Sequence, residues 1–360
     1  LLVGRIANPS CFRGRIGNPS YGDCVATCLV AVGSNLGSRE RTLDRAVEVL
    51  MRQEHLRLLR RSRWRETAPV GGPPGQGEFL NGALLLETSL APQRLLEVLQ
   101  ATEAEFGRDR RQRWGPRSLD LDLLLYDRLV LHTPQLFIPH PRMAWRRFVL
   151  EPAAEIAGSL LHPTLGWSIA RLWEHLNTAA PYLAIAGPPA AGKTDLARQI
   201  AAKIDAGLIL DEDDKGVRTV FQSARAKKTV LTPFLEAELR IFDRRADPLD
   251  VGRPRWADRA RWSVSDFWLP QSLAYAGVYL SAEQQLAFRS HWEQRNRTAV
   301  APKLTVFLDA PAQGPSSLQQ VHRAIVAQAS QPGQGPVLQV AGPASPDVLA
   351  EVLAAIASTE

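Results

Sequence analysis

Two stretches of the 360-residue chain carry residues whose types and spacing could handle phosphate and metal. In the first, Asp120 and Asp122 stand two apart in the apolar run Leu119–Leu125, so a strand there sends both carboxylates to one face. Burying two acids side by side is costly without a neutralising cation. Magnesium suits such a pair, because it takes few carboxylates and completes its octahedron with phosphate oxygens and water. A solvated strand face fits the alternation with Leu119, Leu121 and Leu123 equally well. The arginines weigh against that reading. Arg108, Arg110, Arg111, Arg113 and Arg117 gather around Trp114-Gly115-Pro116, as a clamp on a triphosphate would require. The second stretch, Gly187-Pro188-Pro189-Ala190-Ala191-Gly192-Lys193-Thr194, is a complete phosphate-loop pattern. There the backbone amides and Lys193 would hold phosphates, and Thr194 would reach a magnesium ion.

The elements that must position these residues are legible in outline. Leu29–Val32 reads as a buried strand running into Gly33-Ser34-Asn35-Leu36-Gly37, and residues 39–53 follow with helical apolar spacing at Leu43, Ala46, Val47 and Leu50. A strand over Leu56–Arg65, a Pro/Gly loop over Ala68–Glu78, a strand over Phe79–Glu87 and a helix over Pro92–Phe106 come next. Leu119–Tyr126 is a strand, and 142–157 and 167–176 are helical, which gives an α+β sandwich for residues 25–180. After a break at Asn177–Pro181, Tyr182–Ala186 leads as a strand into the phosphate loop and a helix from Thr194. Further strands at Leu208–Leu210 and Leu304–Leu308, with helices between, predict an α/β domain with a parallel sheet over 181–360. Residues 1–24 hold a near-repeat, Gly4-Arg5-Ile6-Ala7-Asn8-Pro9-Ser10 and Gly14-Arg15-Ile16-Gly17-Asn18-Pro19-Ser20, and read as a low-complexity segment without a fold of its own.

Composition sets the class. With 45% hydrophobic and 22% charged residues the chain is a globular protein, and no apolar run approaches the length of a membrane helix. Cys11, Cys24 and Cys28 form neither a disulfide framework nor a zinc site, which predicts a reducing, cytoplasmic setting. The net charge of +6 sits in local arginine clusters beside the motifs and not in a basic helix or tail. Small phosphorylated ligands explain such clusters equally well, and since basic charge alone is only an electrostatic footprint, no nucleic-acid partner is expected.

The motif Arg-Trp-Gly-Pro-Arg-Ser-Leu-Asp-Leu-Asp at 113–122 resembles the signature of the 6-hydroxymethyl-7,8-dihydropterin pyrophosphokinases. Gly33-Ser34-Asn35-Leu36-Gly37, Glu66-Thr67-Ala68-Pro69-Val70-Gly71, Phe79-Leu80-Asn81 and Ile138-Pro139-His140 with Arg142, Arg146 and Phe148 follow that family's order, and the likeness covers Leu29 to Leu176. The resemblance implies a ferredoxin-like sandwich that uses ATP and magnesium to pyrophosphorylate a reduced pterin in folate biosynthesis, releasing AMP. It implies two magnesium ions on Asp120 and Asp122, and a pterin site of Thr67, Pro69, Val70, Phe79, Asn81 and Phe148. Glu103, Arg108, Trp114, Arg117, His140 and Arg146 would bind ATP and position its phosphates, with Arg108 and Arg117 at the transferring group. The loop Gly107–Trp114 is one residue shorter than the family's usual form and lacks a lysine often found there, so Arg110 or Arg111 is the expected substitute.

The region beyond the phosphate loop is similar to the deoxynucleoside kinases. Asp211-Glu212-Asp213 follows the second strand, where that family keeps its carboxylate base, and Glu212 is the residue expected in that role. Ser265-Asp266-Phe267-Trp268 and Leu308-Asp309-Ala310-Pro311 match later segments, but the acid-Arg-Ser/Thr arginine and the arginine-rich lid are missing. The resemblance implies ATP held by Gly187, Gly192, Lys193 and Thr194, with a deoxynucleoside as acceptor. The alternative is a non-catalytic nucleotide-binding module that stabilises the enzyme or forms a homodimer.

Overall fold

The computed structural model describes residues 25–72, 75–107, 117–211, 232–310 and 316–360. Its described residues fall into two compact units, one reaching to Asn177 and joined by Ala354–Glu360, the other Thr178–Leu353.

The first unit is built on strands β1 (Ala26–Ser34), β2 (Leu56–Arg61), β3 (Arg65–Thr67), β4 (Phe79–Thr88) and β5 (Asp120–Tyr126). They form an antiparallel sheet ordered β2-β4-β1-β5, with β3 also on β4. Helices α1 (Arg39–Leu50) and α2 (Pro92–Glu105) connect β1 to β2 and β4 to β5. This is the βαββαβ ferredoxin-like order, as expected. Alternation along the strands separates two faces. Cys28, Val30 and Val32 of β1, Leu84 and Leu86 of β4, and Leu121 and Leu123 of β5 pack with Leu43, Leu50, Leu95 and Leu99 of the helices. The opposite face carries Asn81, Gly33, Asp120 and Asp122. The Cys28 thiol, buried in this core beside Asp127, is pushed up to about 12. A short hairpin follows, β6 (Leu131–His132) with β7 (Phe137–Ile138), then α3 (Arg147–Ala157) and α4 (Ile169–Thr178). The expected helix over 142–157 begins five residues late, because 141–145 turn through His140–Met143 contacts first.

On the core face Gly82 is a close-approach position. A Cβ there would fall 2.3 Å from Cε3 of Trp64, whose indole N–H donates to Asp44 at 3.0 Å and whose ring lies 4.9 Å beneath the Arg61 guanidinium. Gly82→Ala should therefore lower the unfolding free energy by about 1–3 kcal/mol through overpacking. Denaturant titration checks this, and an unchanged midpoint would show that Trp64 can leave.

The second unit holds five parallel strands, β8 (Tyr182–Ala186), β9 (Gly207–Ile209), β10 (Ser263–Ser265), β11 (Leu304–Asp309) and β12 (Val337–Ala341), ordered β12-β11-β8-β10-β9. Helices α5 (Lys193–Ile204), α6 (Thr232–Ala246), α7 (Gln271–Tyr279), α8 (Ala282–Asn296), α9 (Ser316–Ala329) and α10 (Pro346–Ala357) lie between and after them. The fully buried residues of β8 make it the central strand, as its uninterrupted apolar sequence demands. The chain moves to one side of β8 for β9 and β10 and to the other for β11 and β12. Ligands of such sheets bind at the carboxyl end of the strand where that reversal occurs. Among the described residues no helix is long and apolar enough to cross a membrane.

Candidate active site

The register of the antiparallel sheet assembles the first site. Gly33 of β1 pairs with Asn81 on one side and Asp120 on the other, and Ala31 pairs with Asp122. Thr67 pairs with Phe79. Directly paired residues share a face. Thr67, Phe79, Asn81, Asp120 and Asp122, drawn from three strands, therefore stand on one side of the sheet. Asn81 is only 8% exposed, and its Nδ2 donates to Thr67 Oγ1 at 2.7 Å. That bond orients the amide and leaves Oδ1 over Gly33. A Cβ on residue 33 would sit 2.6 Å from that oxygen, so only glycine lets the amide cross the strand.

Within the Gly33–Gly37 turn, Asn35 acts as a tie. Asn35 and Arg117 exchange two hydrogen bonds, Asn35 N–H to Arg117 C=O at 3.0 Å and Arg117 N–H to Asn35 Oδ1 at 2.6 Å. Arg117 in turn donates Nη1 to Asp120 Oδ2 at 2.5 Å. Glu103, 1% exposed at the end of α2, accepts the backbone N–H of Leu121 at 2.8 Å. Leu121 lies between the two aspartates on the edge strand, so this bond fixes the segment that carries them. Pro69 and Val70 are half-buried just after β3.

A third side comes from the residues after β7. His140 Nε2 lies 4.0 Å from Asp122 Oδ2. Burial, with Arg146 and Arg142 nearby, pushes His140 down to about 3, so the imidazole is neutral and makes no ion pair with that acid. Its Nδ1 accepts the Arg142 N–H at 3.2 Å, which puts the ring proton on Nε2, toward Asp122. Burial lowers Arg146 to about 10, while Asp122 and Asp120 favour its charge. The Arg146 guanidinium lies 5.4 Å over the Phe148 ring. The carboxylates thus meet a neutral histidine donor and two arginines. Arg108 and Trp114 lie outside the described residues, with the rest of the 108–116 loop.

Side chains of Asp120 and Asp122 are 19% and 36% exposed. No group of three or more His, Cys, Asp or Glu among the described residues could enclose a metal. A pair of partly exposed carboxylates fits a metal that takes few protein oxygens and arrives with phosphate oxygens, which is magnesium's habit.

In the second unit the phosphate loop leaves β8 at Gly187 (φ 145°) and ends at Gly192 (φ 80°), the N-cap of α5. Side chains at either position would collide, with Leu308 O at 2.9 Å and Ala344 Cβ at 2.9 Å. Lys193 Nζ donates to the Pro188 carbonyl at 2.8 Å. Burial and the nearby Arg245 lower Lys193 to about 8. Thr194 Oγ1 donates to Asp266 Oδ2 at 2.6 Å, and the other oxygen of Asp266 accepts the Asp211 N–H at 2.7 Å. Arg245, 8% exposed, donates Nε and Nη2 to Asp211 Oδ2 at 3.0 and 2.5 Å. Glu238, 2% exposed, is raised to about 7 by burial, against the pull of Arg245.

Sequence reasoning did not single out Asp266, Arg245 or Glu238 as site residues. Asp266 directly follows the short buried strand β10 beside the loop, and Glu238 and Arg245 occupy core-facing positions of α6 among Phe234, Leu235, Leu239 and Phe242. A charged residue in an apolar helical stripe is the signal that could have found Glu238 and Arg245. Glu212 lies outside the described residues, so the carboxylate seen at the end of β9 is Asp211.

A profile of the 7,8-dihydro-6-hydroxymethylpterin-pyrophosphokinase family matches residues 29–158. The chain is 49% identical over 127 residues to the 2-amino-4-hydroxy-6-hydroxymethyldihydropteridine pyrophosphokinase of Bacillus subtilis, covering 35% of this chain and 75% of that protein. The enzyme of the same name from Pseudomonas aeruginosa is 44% identical over 134 residues, covering 37% and 82%. A solved deoxyadenosine kinase from M. mycoides aligns with 48% of this chain and 96% of its own at 12% identity. At its TM-score of 0.37 that likeness decides nothing about the second unit, whose reading rests on its own residues. With the paired aspartates, Asn81 and His140 all inside the matched span, the chain belongs to the 7,8-dihydro-6-hydroxymethylpterin-pyrophosphokinase family.

Proposed function

We propose that the chain is organised as two functional domains, about 25–180 and 181–360. The first moves the β,γ-pyrophosphoryl group of ATP to the hydroxymethyl oxygen of 6-hydroxymethyl-7,8-dihydropterin. The bond between Pβ and the oxygen it shares with Pα breaks, a bond from Pβ to the hydroxymethyl oxygen forms, that oxygen's proton passes to solvent, and AMP leaves. The observation that carries this reading is the row Asn81–Gly33–Asp120 across three strands, which joins a planar-ring site to a phosphate-and-metal site.

In this reading Asn81 Oδ1, fixed by Thr67, accepts a hydrogen bond from the pterin edge, and Phe148 and Phe79 face its ring. Pro69 and Val70 line the same site. Asp120 and Asp122 would hold two magnesium ions, which would supply positive charge to the phosphate oxygens. Neutral His140 offers its Nε2 proton to a phosphate oxygen, while Arg146 and Arg117 supply charge-assisted donors. Glu103 keeps β5 in place beneath them and stands beside the ATP site. AMP release from ATP that depends on the hydroxymethyl dihydropterin tests the reading, and its absence would end it. Gly33→Ala separates the subsites. By displacing the Asn81 amide it should raise KM for the pterin about tenfold, the effect of losing one buried hydrogen bond, and leave KM for ATP near its original value. Equal changes in both constants would mean that Asn81 does not hold the pterin.

For the second domain the Thr194–Asp266 contact favours nucleotide binding, because it places a strand-end carboxylate on the hydroxyl expected to reach magnesium. Gly187, Gly192 and Lys193 hold ATP phosphates, and a deoxynucleoside is the proposed acceptor, with the acid at the end of β9, Asp211 or Glu212, receiving its hydroxyl. The competing reading is a non-catalytic nucleotide-binding or dimerisation module.

A further inference from the structure

Helix α3 starts without a capping side chain, since Arg146 in its N-cap position makes no such hydrogen bond. The first backbone N–H of the helix, that of Arg147, is satisfied instead by the main-chain carbonyl of Ser358 at 2.7 Å. The Arg147 side chain reaches the same segment. Its Nε donates to the Thr359 carbonyl at 3.3 Å, its Nη1 to Asn177 Oδ1 at 3.0 Å, and its guanidinium lies 4.8 Å over the Trp173 ring. Ser358 and Thr359 are buried, and their hydroxyls turn back on the carbonyls of Ala355 and Ile356, both at 2.7 Å. The carbonyls at a helix's end carry its negative pole, the complement of the positive N-terminus of α3. Accordingly, Ala354–Glu360 packs as part of the first unit.

The residues flanking Arg147 are Arg146 and Phe148, one coupled to Asp122 and Asp120 and the other beneath it. A clamp on the residue between them fixes the backbone angle at which both are presented. An uncapped helix start frays and would let both side chains swing. The matched family span ends at residue 158, so nothing in it accounts for this segment. We propose that Ser358 and Thr359 are positioning residues of the pyrophosphokinase site, acting through Arg147 to hold Arg146 and Phe148 against the substrates. This rests on the reading of that site given above.

The test uses the full chain with residues 358–360 removed, which leaves α10 whole to Ala357, alongside Arg147→Met and Arg147→Lys. AMP formation gives kcat and both KM values, and thermal melting fixes an assay temperature at which every variant is folded. The truncation should raise KM for the pterin about tenfold with a smaller change in kcat, the signature of misplaced binding groups. Arg147→Met should give part of that rise, and Arg147→Lys, which keeps a donor for Thr359, should recover most of it. Unchanged KM values in the truncated protein, or a lowered melting temperature as its sole defect, would overturn the proposal. Should the truncated chain not fold, Arg147→Met decides: an unchanged KM there overturns it equally. Absence of AMP from the intact chain would overturn the pyrophosphokinase reading, and this proposal with it.

Discussion

Replacing Asp120 or Asp122 with alanine should cut pterin-dependent AMP release by on the order of a thousandfold or more, the scale of losing a preorganised charge at a transferring group. Both carboxylates stand on the face of β5 opposite Leu121 and Leu123, which are buried with the helices, so the fold should survive. Each deletion also strips its neighbours of a counter-charge. Asp120 is the partner of Arg117, and Asp122 is the acid that most favours the charge on largely buried Arg146. Free cations would then collect phosphate in poor geometry, so ATP affinity should fall less than turnover. Asp122→Asn separates shape from charge, because it keeps the volume beside His140 and loses only the anion. Near-normal turnover in both alanine variants, with melting curves matching the intact protein, would remove the metal assignment.

How much of this could be read in advance depended on how far apart in the chain the partners lie. The period-two spacing of Asp120 and Asp122 gives their shared face from five residues of sequence. The glycine at 33 is visible as a turn residue, but its purpose is not, because Asn81 reaches it through the β1–β4 register across forty-eight positions. The strand expected over 56–65 is two strands, β2 and β3, with Ser62 and Trp64 turning between them to bond the backbone of Ala83 and the side chain of Asp44. Neither partner is local. Glu103, expected at ATP, is spent in part on the Leu121 backbone, a bond that no spacing rule announces. The same holds for Ser358 and Thr359, which return to α3 after more than two hundred residues. In the second unit the parallel pairing of β9 with β10 sets Asp211 beside Asp266, and α6, a third element distant in the chain, brings Arg245 to Asp211. Local chemistry and period are written in the sequence; pairing register and element order are not.

The second large effect belongs to that unit. Lys193→Ala in the full chain should lower the ATP stoichiometry measured by calorimetry by one site and leave pterin-dependent AMP release unchanged. Lys193 is the residue best placed to lose. It is largely buried at the N-terminus of α5, held on the Pro188 carbonyl, and its charge is disfavoured by burial and by Arg245. An arriving triphosphate adds its anion to the weaker pull of Asp266 and Asp211 on that cation, and the loop amides add the helix's positive pole. Alanine removes the cation but keeps the Thr194–Asp266 contact, so the loop itself should persist. The pyrophosphokinase residues all lie before Asn177 apart from the clamp at 358–359, which makes the two activities separable by point substitution even though the chain segments interleave. The same proteins then receive each deoxynucleoside in turn with ATP, and ADP is measured. ADP that depends on one deoxynucleoside and disappears with Lys193→Ala is the expected result. An ATP stoichiometry unchanged by the substitution would show that the loop does not bind nucleotide. Binding lost with Lys193, but no deoxynucleoside-dependent ADP from the intact chain, would make the second unit a nucleotide-binding module, because Asp211 already satisfies Arg245 and no acceptor would be needed to complete the pair.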